Sequence, residues 1–355
     1  MRLTNADLPL VRIRDVKRGF SETYYSGEYP EEYVIHAGAL LIGMDGEFNI
    51  ARWKSRSALL NQRVCRIIAK ENTDEEYLRF ALVKALKEVE QKTAFVTVKH
   101  LSAKELNKMT LNVPPYEEQK RISEILARIE NLITIYKEEL NQFDILIKSR
   151  FVEMFGVKGE NWDEVSIADV CIEVRTGPFG SALHHDEFVD EGVFVLGIDN
   201  AVENKFSYNR MRYITEEKYQ QLKRYTVNPE DVIITIMGTV GRSAVIPKDI
   251  PKAINTKHLA CLTPNKELID SYFLCNAFQL HPLIRMQLEG QAKGAIMNGL
   301  NLAIIRNLRL KLPPLGLQKE FVVFYHQTTK LKAAVQKSLD ETQLLFDSLM
   351  QQYFG

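Results

Sequence analysis

The sequence lacks the residues that mark most enzymes and membrane proteins. It has no GxxxxGK[ST] phosphate-binding loop, and no Ser-His-Asp or nucleophilic cysteine arrangement can be argued from local sequence. Its 4 cysteines form no CxxC pair, which argues against structural zinc and disulfides and favours reduced, buried thiols. No apolar run approaches the roughly 20 residues that cross a bilayer, and residues 1–14 lack the apolar core of a signal peptide. We expect a cytoplasmic protein with no catalytic residue and no metal site.

The chain also lacks an excess of charge of either sign. Its 46 basic and 46 acidic residues give a formal net charge of zero. This balance argues against a protein coated by nucleic acid over its whole surface, but it permits a local basic patch. Two basic stretches lie in corresponding parts of the two halves, so a binding surface and an ordinary solvated face both stay open. They are Arg52, Lys54, Arg56, Arg63, Arg66 and Lys70 in the first half and Arg242, Lys248, Lys252 and Lys257 in the second.

The chain repeats itself with a constant shift of 199 positions. One copy runs from Leu111 to Gly156 and the other from Leu310 to Gly355, the last residue. An ungapped match of this kind indicates a tandem duplication, and a duplicated protein usually contacts something that has two parts. Identical positions include Pro114, Pro115, Gln119, Lys120, Leu140, Leu146, Phe155 and Gly156, which match Pro313, Pro314, Gln318, Lys319, Leu339, Leu345, Phe354 and Gly355.

Each copy contains one long amphipathic helix, predicted over residues 117–155 and 318–354. Apolar residues recur every three or four positions, which is the helical period. The Pro-Pro pair sets the start of each helix, and the glycine is a suitable stop. Each stripe needs a partner, and we expect the other copy, in a two-helix coiled coil; the alternative is packing on the globular part of its own half. The predicted contact residues are Ile122, Ile125, Ile129, Leu132, Tyr136, Leu140, Phe143 and Leu146, and Phe321, Phe324, Leu331, Val335, Leu339, Leu345 and Leu349.

The stretches before the two helices are predicted to be diverged copies rich in short strands. A buried-strand run at 232–236 precedes a glycine-marked turn at 237–242, and the run 39–42 with the turn 43–46 occupies the same place in the first half. Residues 61–64 pair loosely with 255–258, and Tyr77-Leu78 pairs with Tyr272-Phe273. A common scaffold with different surfaces suits a reader of two unlike half-targets.

Together these features resemble the specificity subunit of type I restriction–modification systems. The signature is Pro-Pro-x-x-x-Gln, a long helix and a final Phe-Gly, which occurs twice, each time after a β-rich domain. The resemblance implies an α+β fold in which two α/β target recognition domains are separated by two long helices, with tandem-repeat pseudo-symmetry. The helices would form an antiparallel coiled coil. The implied segments are recognition domains at 1–113 and 157–312 and helical spacers at 114–156 and 313–355.

The same resemblance implies a non-catalytic subunit that reads a bipartite sequence in double-stranded DNA. Its partners would be methyltransferase subunits and restriction/translocase subunits, with no membrane. S-adenosylmethionine, ATP and magnesium would belong to those partners, so that this chain needs no cofactor of its own.

The second half matches the family more clearly than the first. Thr176 to Ser181 is similar to an early glycine turn, Asp231 to Arg242 to a central strand and turn, and Gly294 to Leu300 to the stretch before a final strand. The run 11–15 aligns loosely with 195–199, so the first half lacks a counterpart to about residues 162–193. The chain begins late, its first domain is naturally trimmed, or it derives from a partial gene; the sequence leaves all three open.

Candidate contact residues lie on glycine-marked loops at equivalent places in both halves. Arginine pairs with guanine and asparagine or glutamine with adenine, whereas lysine mostly contacts phosphate. The DNA candidates are Arg52, Lys54, Asn61, Gln62 and Arg63 in the first domain and Thr176, Gly177, Phe179, Ser181, Gly238, Thr239, Arg242, Asn255, Lys257, His258, Lys293 and Asn298 in the second. The partner candidates are Pro114, Pro115, Gln119, Pro313, Pro314 and Gln318.

Three rival functions stay open at this point. Residues 112–116 resemble the Asn-Pro-Pro-Tyr loop of adenine methyltransferases, but Val113 interrupts it and no glycine-rich cofactor turn precedes it. A coiled-coil adaptor without DNA contact is the second rival. The third is an incomplete or silent specificity subunit that reads only one half-site.

Overall fold

A computed structural model describes residues 3–4, 7–92, 100–156, 162–179, 182–201, 203–292 and 300–355. The chain divides into two compact units. Unit 1 comprises Met1–Glu138 and Val335–Gly355, and unit 2 comprises Glu139–Ala334. Each long helix therefore contributes one half to each unit. In the described residues, no helix is long and apolar enough to span a membrane.

Unit 1 contains three small sheets and short helices before the first long helix. Its strands are β1 (Leu3–Thr4), β2 (Leu8–Val11), β3 (Tyr24–Tyr25), β4 (Tyr29–Pro30), β5 (Val34–Ile35), β6 (Leu40–Gly43), β7 (Ile50–Arg52), β8 (Ala58–Leu60) and β9 (Val64–Ile67). The helices that begin in it are α1 (Ile13–Arg18), α2 (Glu75–Lys92), α3 (Ala103–Leu106) and α4 (Tyr116–Phe155). The strand orders are β1-β4, β3-β2-β8-β5 and β7-β6-β9.

Unit 2 repeats this plan, with three sheets and the same number of described strands. Its strands are β10 (Glu164–Ser166), β11 (Cys171–Thr176), β12 (Val193–Leu196), β13 (Tyr213–Ile214), β14 (Val232–Thr235), β15 (Ser243–Val245), β16 (Ala253–Asn255), β17 (Leu259–Pro264) and β18 (Arg309–Lys311). The helices that begin in it are α5 (Glu216–Leu222), α6 (Ser271–Leu280), α7 (Pro282–Ala292), α8 (Leu302–Asn307) and α9 (Leu315–Phe354). The strand orders are β10-β18, β11-β17-β14-β15 and β13-β12-β16.

The two long helices begin where the sequence predicts, directly after the proline pairs. Helices α4 and α9 have 40 residues each, a length of about 60 Å at the helical rise per residue. The amides of Gln119 and Gln318 donate to the carbonyls of Pro115 and Pro314, at 3.1 and 3.2 Å. Proline fits this place because a first-turn residue needs no amide hydrogen.

Within each unit the two helix segments run antiparallel. In unit 2, Asp144 of α4 pairs with Lys332 of α9, and Arg150 pairs with Glu320 at 2.9 Å. In unit 1, Leu126 near the start of α4 shares a buried cluster with Met350 near the end of α9. The predicted antiparallel pairing of the two helices is confirmed in each unit.

The predicted contact stripe is partly wrong in its phase. Leu132, Leu146, Leu331 and Leu345 are exposed, although the sequence analysis assigned them to the helix contact. The buried apolar positions of α4 are Ile122, Leu126, Ile129 and Ile133 in unit 1 and Ile147, Phe151, Met154 and Phe155 in unit 2. Within each unit most of them are three or four residues apart, and the apolar stripe is broad enough to contain both these positions and the exposed leucines. Periodicity identifies the stripe, but it does not say which edge of the stripe meets the partner helix.

The two recognition domains share their main-chain hydrogen bonds. Strands β2 and β8 are parallel neighbours in unit 1, as β12 and β16 are in unit 2. The amide of Met44 donates to Arg63 O at 2.9 Å, and that of Ile236 donates to His258 O at 3.0 Å. The amide of Leu101 donates to Met44 O at 2.7 Å, and that of Leu300, 199 positions later, donates to Ile236 O at 3.0 Å. The duplication therefore extends through the globular parts.

One predicted correspondence is off by a single residue. The amide of Val64 donates to Asn61 O at 2.9 Å, and the amide of Leu259 donates to Thr256 O at 3.1 Å. Asn61 therefore matches Thr256 rather than Asn255. By the same count, Gln62 matches Lys257 and Arg63 matches His258. A loop of polar residues has no periodic signal, so its register becomes visible only from the turn hydrogen bonds.

The sheets of the two domains differ at one edge. In unit 2, β17 lies between β14 and β11, whereas its counterpart β9 is the edge strand of a sheet of three. In the described part of unit 1, no strand occupies the place of β11. Strand β11 lies within residues 162–193, the range for which the first half has no counterpart in the sequence.

A buried glutamine ties each long helix to the recognition domain that precedes it. The Oε1 atom of Gln119 accepts from the amide of Asp74 at 2.9 Å, and its Nε2 donates to the carbonyls of Asn72 and Pro114 at 3.2 and 2.7 Å. Gln318 makes the same three bonds, to the amide of Asp270 at 2.9 Å and to the carbonyls of Leu268 and Pro313 at 3.0 and 2.8 Å. We call this arrangement the glutamine clasp.

The core of unit 2 encloses an unpaired histidine. His281, between α6 and α7, is buried, and neither ring nitrogen has a hydrogen-bond partner. Its ring lies against Phe151 of α4, with centroids 6.3 Å apart. Burial disfavours the charged imidazolium and lowers the pKa of His281 from 6.5 to about 4.

We predict that Gln119→Leu and Gln318→Leu each destabilise the chain by about 2–4 kcal/mol, because each leaves one amide and two carbonyls without a partner. The measurement is chemical denaturation monitored by circular dichroism. Lys120→Leu and Lys319→Leu are matched controls, since these exposed neighbours also lie 199 positions apart. Equal stability of the glutamine and lysine variants would contradict the clasp.

We predict a loss of stability between about pH 6.5 and pH 4 that depends on His281. Over this range the unfolded chain binds a proton at His281 and the folded chain does not, so acid favours unfolding. The effect is on the order of 3 kcal/mol for a shift of this size. In His281→Leu, the free energy of unfolding should fall less steeply over the same range. The exposed His36→Gln serves as control, and a His281→Leu profile parallel to that of the wild type would refute the assignment.

Candidate nucleic-acid interface

In the second domain, the turn after β14 is held by one buried threonine. The amide of Thr235 donates to Arg242 O at 2.8 Å, and its Oγ1 accepts from the amide of Arg242 at 3.0 Å and donates to Thr239 O. Gly238 has φ +72°, a left-handed conformation that favours glycine. The turn therefore presents Gly238, Thr239 and Arg242 as exposed residues on a fixed backbone.

The predicted early glycine turn lies against the end of β16. A Cβ atom on Gly177 would come within 2.0 Å of Asn255 O, so the main chains touch at a point where only glycine fits. Thr176 is half-buried and Phe179 is exposed. Asn255 itself is buried, and its Nδ2 donates to Leu259 O at 3.0 Å. The structure thus brings Gly177 and Asn255 together, but Asn255 braces the loop and does not face solvent.

Lys257 and His258 follow Asn255 on the same loop, and the charge of Arg212 lies close enough to act on His258. Burial, together with the positive charges of Lys257 and Arg212, lowers the pKa of His258. Arg212 is itself paired with Asp199. His258 is therefore neutral over a wider pH range than an exposed histidine, and a neutral ring can both donate and accept hydrogen bonds.

In the first domain, the corresponding loops enclose an open cleft of about 730 Å³. Three of the predicted contact residues, Asn61, Gln62 and Arg63, line it. Sequence reasoning missed the other polar lining residues, namely Arg12, Arg14, Lys17, Glu47 and Asn49. Four cationic side chains and one carboxylate give the cleft a positive balance, although Arg63 is also paired with Asp45 at 3.3 Å.

The remaining first-domain candidates lie outside this cleft. Arg52 donates to Glu75 at 2.8 Å, to Glu76 at 2.6 Å and to Gly38 O at 2.9 Å. Arg52 could reach a nucleic acid only by giving up these bonds. Lys54 is exposed, and its alkyl chain lies against Gly19. Arg12 and Arg14 follow β2 in the chain, and Asn61 follows β8, the parallel neighbour of β2. A prediction that these two strands pair would have placed the arginines beside the Asn61 loop.

The predicted partner residues divide into accessible and inaccessible positions. Pro115 and Pro314 are exposed and Pro114 is half-buried, whereas Pro313 is buried. Gln119 and Gln318 are buried in the glutamine clasp, where every amide group has a partner within the chain. The candidates Ser181, Lys293 and Asn298 lie outside the described residues.

Comparison with known proteins gives one consistent family. The model of the type I restriction modification DNA specificity domain matches residues 3–143 and 159–341. The EcoBI type I restriction enzyme specificity subunit of Escherichia coli is 30% identical over 371 aligned positions, covering 97% of this chain and 78% of the relative. The MjaVIII specificity subunit of Methanocaldococcus jannaschii is 21% identical over 309 positions, covering 81% of this chain and 72% of the relative.

Solved structures show the same fold at low identity. The S subunit of a type I restriction–modification system from M. genitalium aligns with a TM-score of 0.61 and 13% identity, covering 99% of this chain and 90% of that one. A chain from a study of assembly and conformational transition in a type I system aligns with a TM-score of 0.57 and 18% identity, covering 99% and 92%. The resemblance and the fold class inferred from the sequence are confirmed. This chain belongs to the DNA specificity subunits of type I restriction–modification systems and carries their specificity domain twice.

Proposed function

We propose that this chain directs a type I methyltransferase to a bipartite DNA sequence, with one half read by each recognition domain. The observation that carries the proposal is the polar cleft of the first domain, whose loops have hydrogen-bonded counterparts in the second. Direct readout would use Asn61, Gln62 and Arg63 in one domain and Arg242, Lys257 and His258 in the other. Arg12, Arg14 and Lys17 are suited to phosphate contacts that fix the register on the duplex.

We further propose that two methyltransferase subunits dock on exposed leucines of the long helices. Leu132 and Leu331 are 42% and 58% exposed, and Leu146 and Leu345 are 47% and 51% exposed. Each pair is related by the 199-residue repeat, and each unit contains one leucine from α4 and one from α9. Exposed leucines in equivalent places on both units suit two copies of one partner better than a single unlike partner.

In this proposal, the chain works in the cytoplasm and holds no cofactor itself. S-adenosylmethionine is bound by the methyltransferase subunits, and ATP and magnesium by the restriction/translocase subunits that complete the enzyme. The isolated chain should therefore not bind S-adenosylmethionine, which separates this proposal from a self-contained methyltransferase.

The three-stranded sheet of the first domain favours one alternative, a subunit that reads a single half-site. Among the described residues of unit 1, its edge strand β9 has no neighbour in the place that β11 takes beside β17. β11 leads directly into the loop of Gly177, which lies on the end of β16. A domain without that loop presents fewer side chains to DNA, although its cleft is formed by other loops.

We predict that coexpression with the methyltransferase subunit of the same locus gives DNA methylated at a split motif with a constant gap. The measurement is genome-wide mapping of methyladenine in a host that lacks other adenine methyltransferases. Cells with the methyltransferase alone are the control.

A motif with one specified half would favour the single-half alternative. No motif in cells that contain the assembled complex would refute DNA reading by this chain.

We also predict that two pairs of substitutions each remove one methyltransferase subunit. Leu132→Glu with Leu345→Glu alters unit 1, and Leu146→Glu with Leu331→Glu alters unit 2. A carboxylate on an apolar docking surface must be desolvated without a partner, which weakens binding. Native mass spectrometry should show one bound methyltransferase for either double variant and none for the quadruple variant.

Lys137→Glu, an exposed charge change on α4, is the matched control and should keep both subunits. Thermal melts of the free chains establish that the variants fold. If both double variants retain two methyltransferase subunits, the leucines are not the docking surface.

A further inference from the structure

The hydrogen bonds of the two domains place Asn49 where the second domain has Arg242. The amide of Gly43 donates to Asn49 O at 2.9 Å, and the amide of Thr235 donates to Arg242 O at 2.8 Å. Both residues come directly before the strand that returns beside the central one, which is β7 in unit 1 and β15 in unit 2. This match could not be predicted from the sequence, because the two turns differ in composition.

The glycines of the two turns support the same alignment. Gly46 and Gly238 have φ +74° and +72°, and both lie on the segment between the paired strands. Gly46 stands three residues after Gly43, the last residue of β6, and Gly238 stands three residues after Thr235, the last residue of β14. Counting from the central strand therefore gives the same alignment as the turn hydrogen bonds.

Strand register excludes Arg52 as the counterpart of Arg242. Arg52 lies opposite Leu40 in the β6–β7 pair, and Val245 lies opposite Val232 in the β14–β15 pair. Arg52 thus occupies the place of Val245, where its guanidinium meets Glu75 and Glu76 of α2. Its role there is to hold a strand on a helix.

The side chain of Asn49 is placed to meet a ligand. It lines the cleft together with Arg12, Arg14 and Gln62, and it is half-buried. Its Nδ2 lies 3.4 and 3.5 Å from two oxygens of Glu47, at the outer limit of hydrogen bonding. An amide held by the walls of a cleft with weak internal bonds can exchange those bonds for stronger ones at little cost.

We propose that Asn49 and Arg242 are paired specificity residues that each read one base in its half-site. The ligand is the major-groove edge of duplex DNA. The amide of Asn49 can accept from the N6 amino group of adenine at Oδ1 and donate from Nδ2 to N7, whereas the guanidinium of Arg242 can donate to O6 and N7 of guanine. The basic residues around Asn49 hold the phosphates on either side. This inference rests on the proposed function and adds to it the residue that selects one base in each half.

The test is methylation mapping with Asn49 and Arg242 variants assembled with the methyltransferase. Asn49→Ala should lower the discrimination at one adenine of one half-site by about tenfold. Asn49→Arg should change the preferred base at that position to guanine, and Arg242→Asn should change a guanine of the other half-site to adenine. In each case the half-site that is read by the unaltered domain should keep its sequence.

Lys87→Ala, an exposed cation of α2 that does not line the cleft, is the control and should leave the motif unchanged. Native mass spectrometry establishes that each variant assembles. A wild-type motif in both Asn49 variants overturns the proposal. The proposal is also overturned if Asn49→Ala lowers methylation equally at every single-base variant of the half-site, since that pattern indicates a contact with the DNA backbone. If the wild-type chain yields no motif, the proposed function itself fails.

Discussion

The buried glutamine at the start of each long helix is the interaction on which the arrangement of both units depends. A primary amide can both accept and donate hydrogen bonds in one rigid plane, and in the clasp its oxygen accepts one bond and its nitrogen donates two. A carboxylate would lack the donors, and a lysine would lack the acceptor. The same side chain therefore closes the start of the long helix and fixes the residue directly before α2 or α6 of the preceding domain, Asp74 in one unit and Asp270 in the other.

Helices α2 and α6 connect the glutamine clasp of each unit to the loops of the candidate site. Asp270 caps α6 by accepting from the amide of Tyr272 at 2.7 Å. Further along α6, Cys275 O accepts from Ser243 Oγ at 3.0 Å, and Ser243 directly follows Arg242. In unit 1 the ion pairs of Arg52 with Glu75 and Glu76 join the corresponding strand and helix. Different side chains thus make the same connection, so an arginine that the sequence suggested as a DNA contact has a structural role in this chain.

The features that the sequence predicted well are those that carry a periodic or repeated signal. The proline pairs, the 199-residue shift and the helical period gave both long helices to within three residues of their observed bounds. The contact surface between the two helices was predicted partly in the wrong phase, since a broad apolar stripe does not reveal which of its edges is covered. The loop register was off by one residue at Asn61, and Asn49 was missed, because polar turns are aligned by main-chain hydrogen bonds that leave no mark in composition.

This separation between main chain and side chains explains how one fold can read two unlike half-sites. The paired loops keep their amide-to-carbonyl bonds, which any residue except proline can make. Their side chains then vary freely: Gln62 against Lys257, Arg63 against His258, and Asn49 against Arg242. The substitutions exchange amides, cations and a neutral ring without touching the scaffold. The clasp and the strand-to-helix connections do not involve the contact side chains of the loops. Each domain can therefore change its contact residues while the other domain and the long helices stay the same.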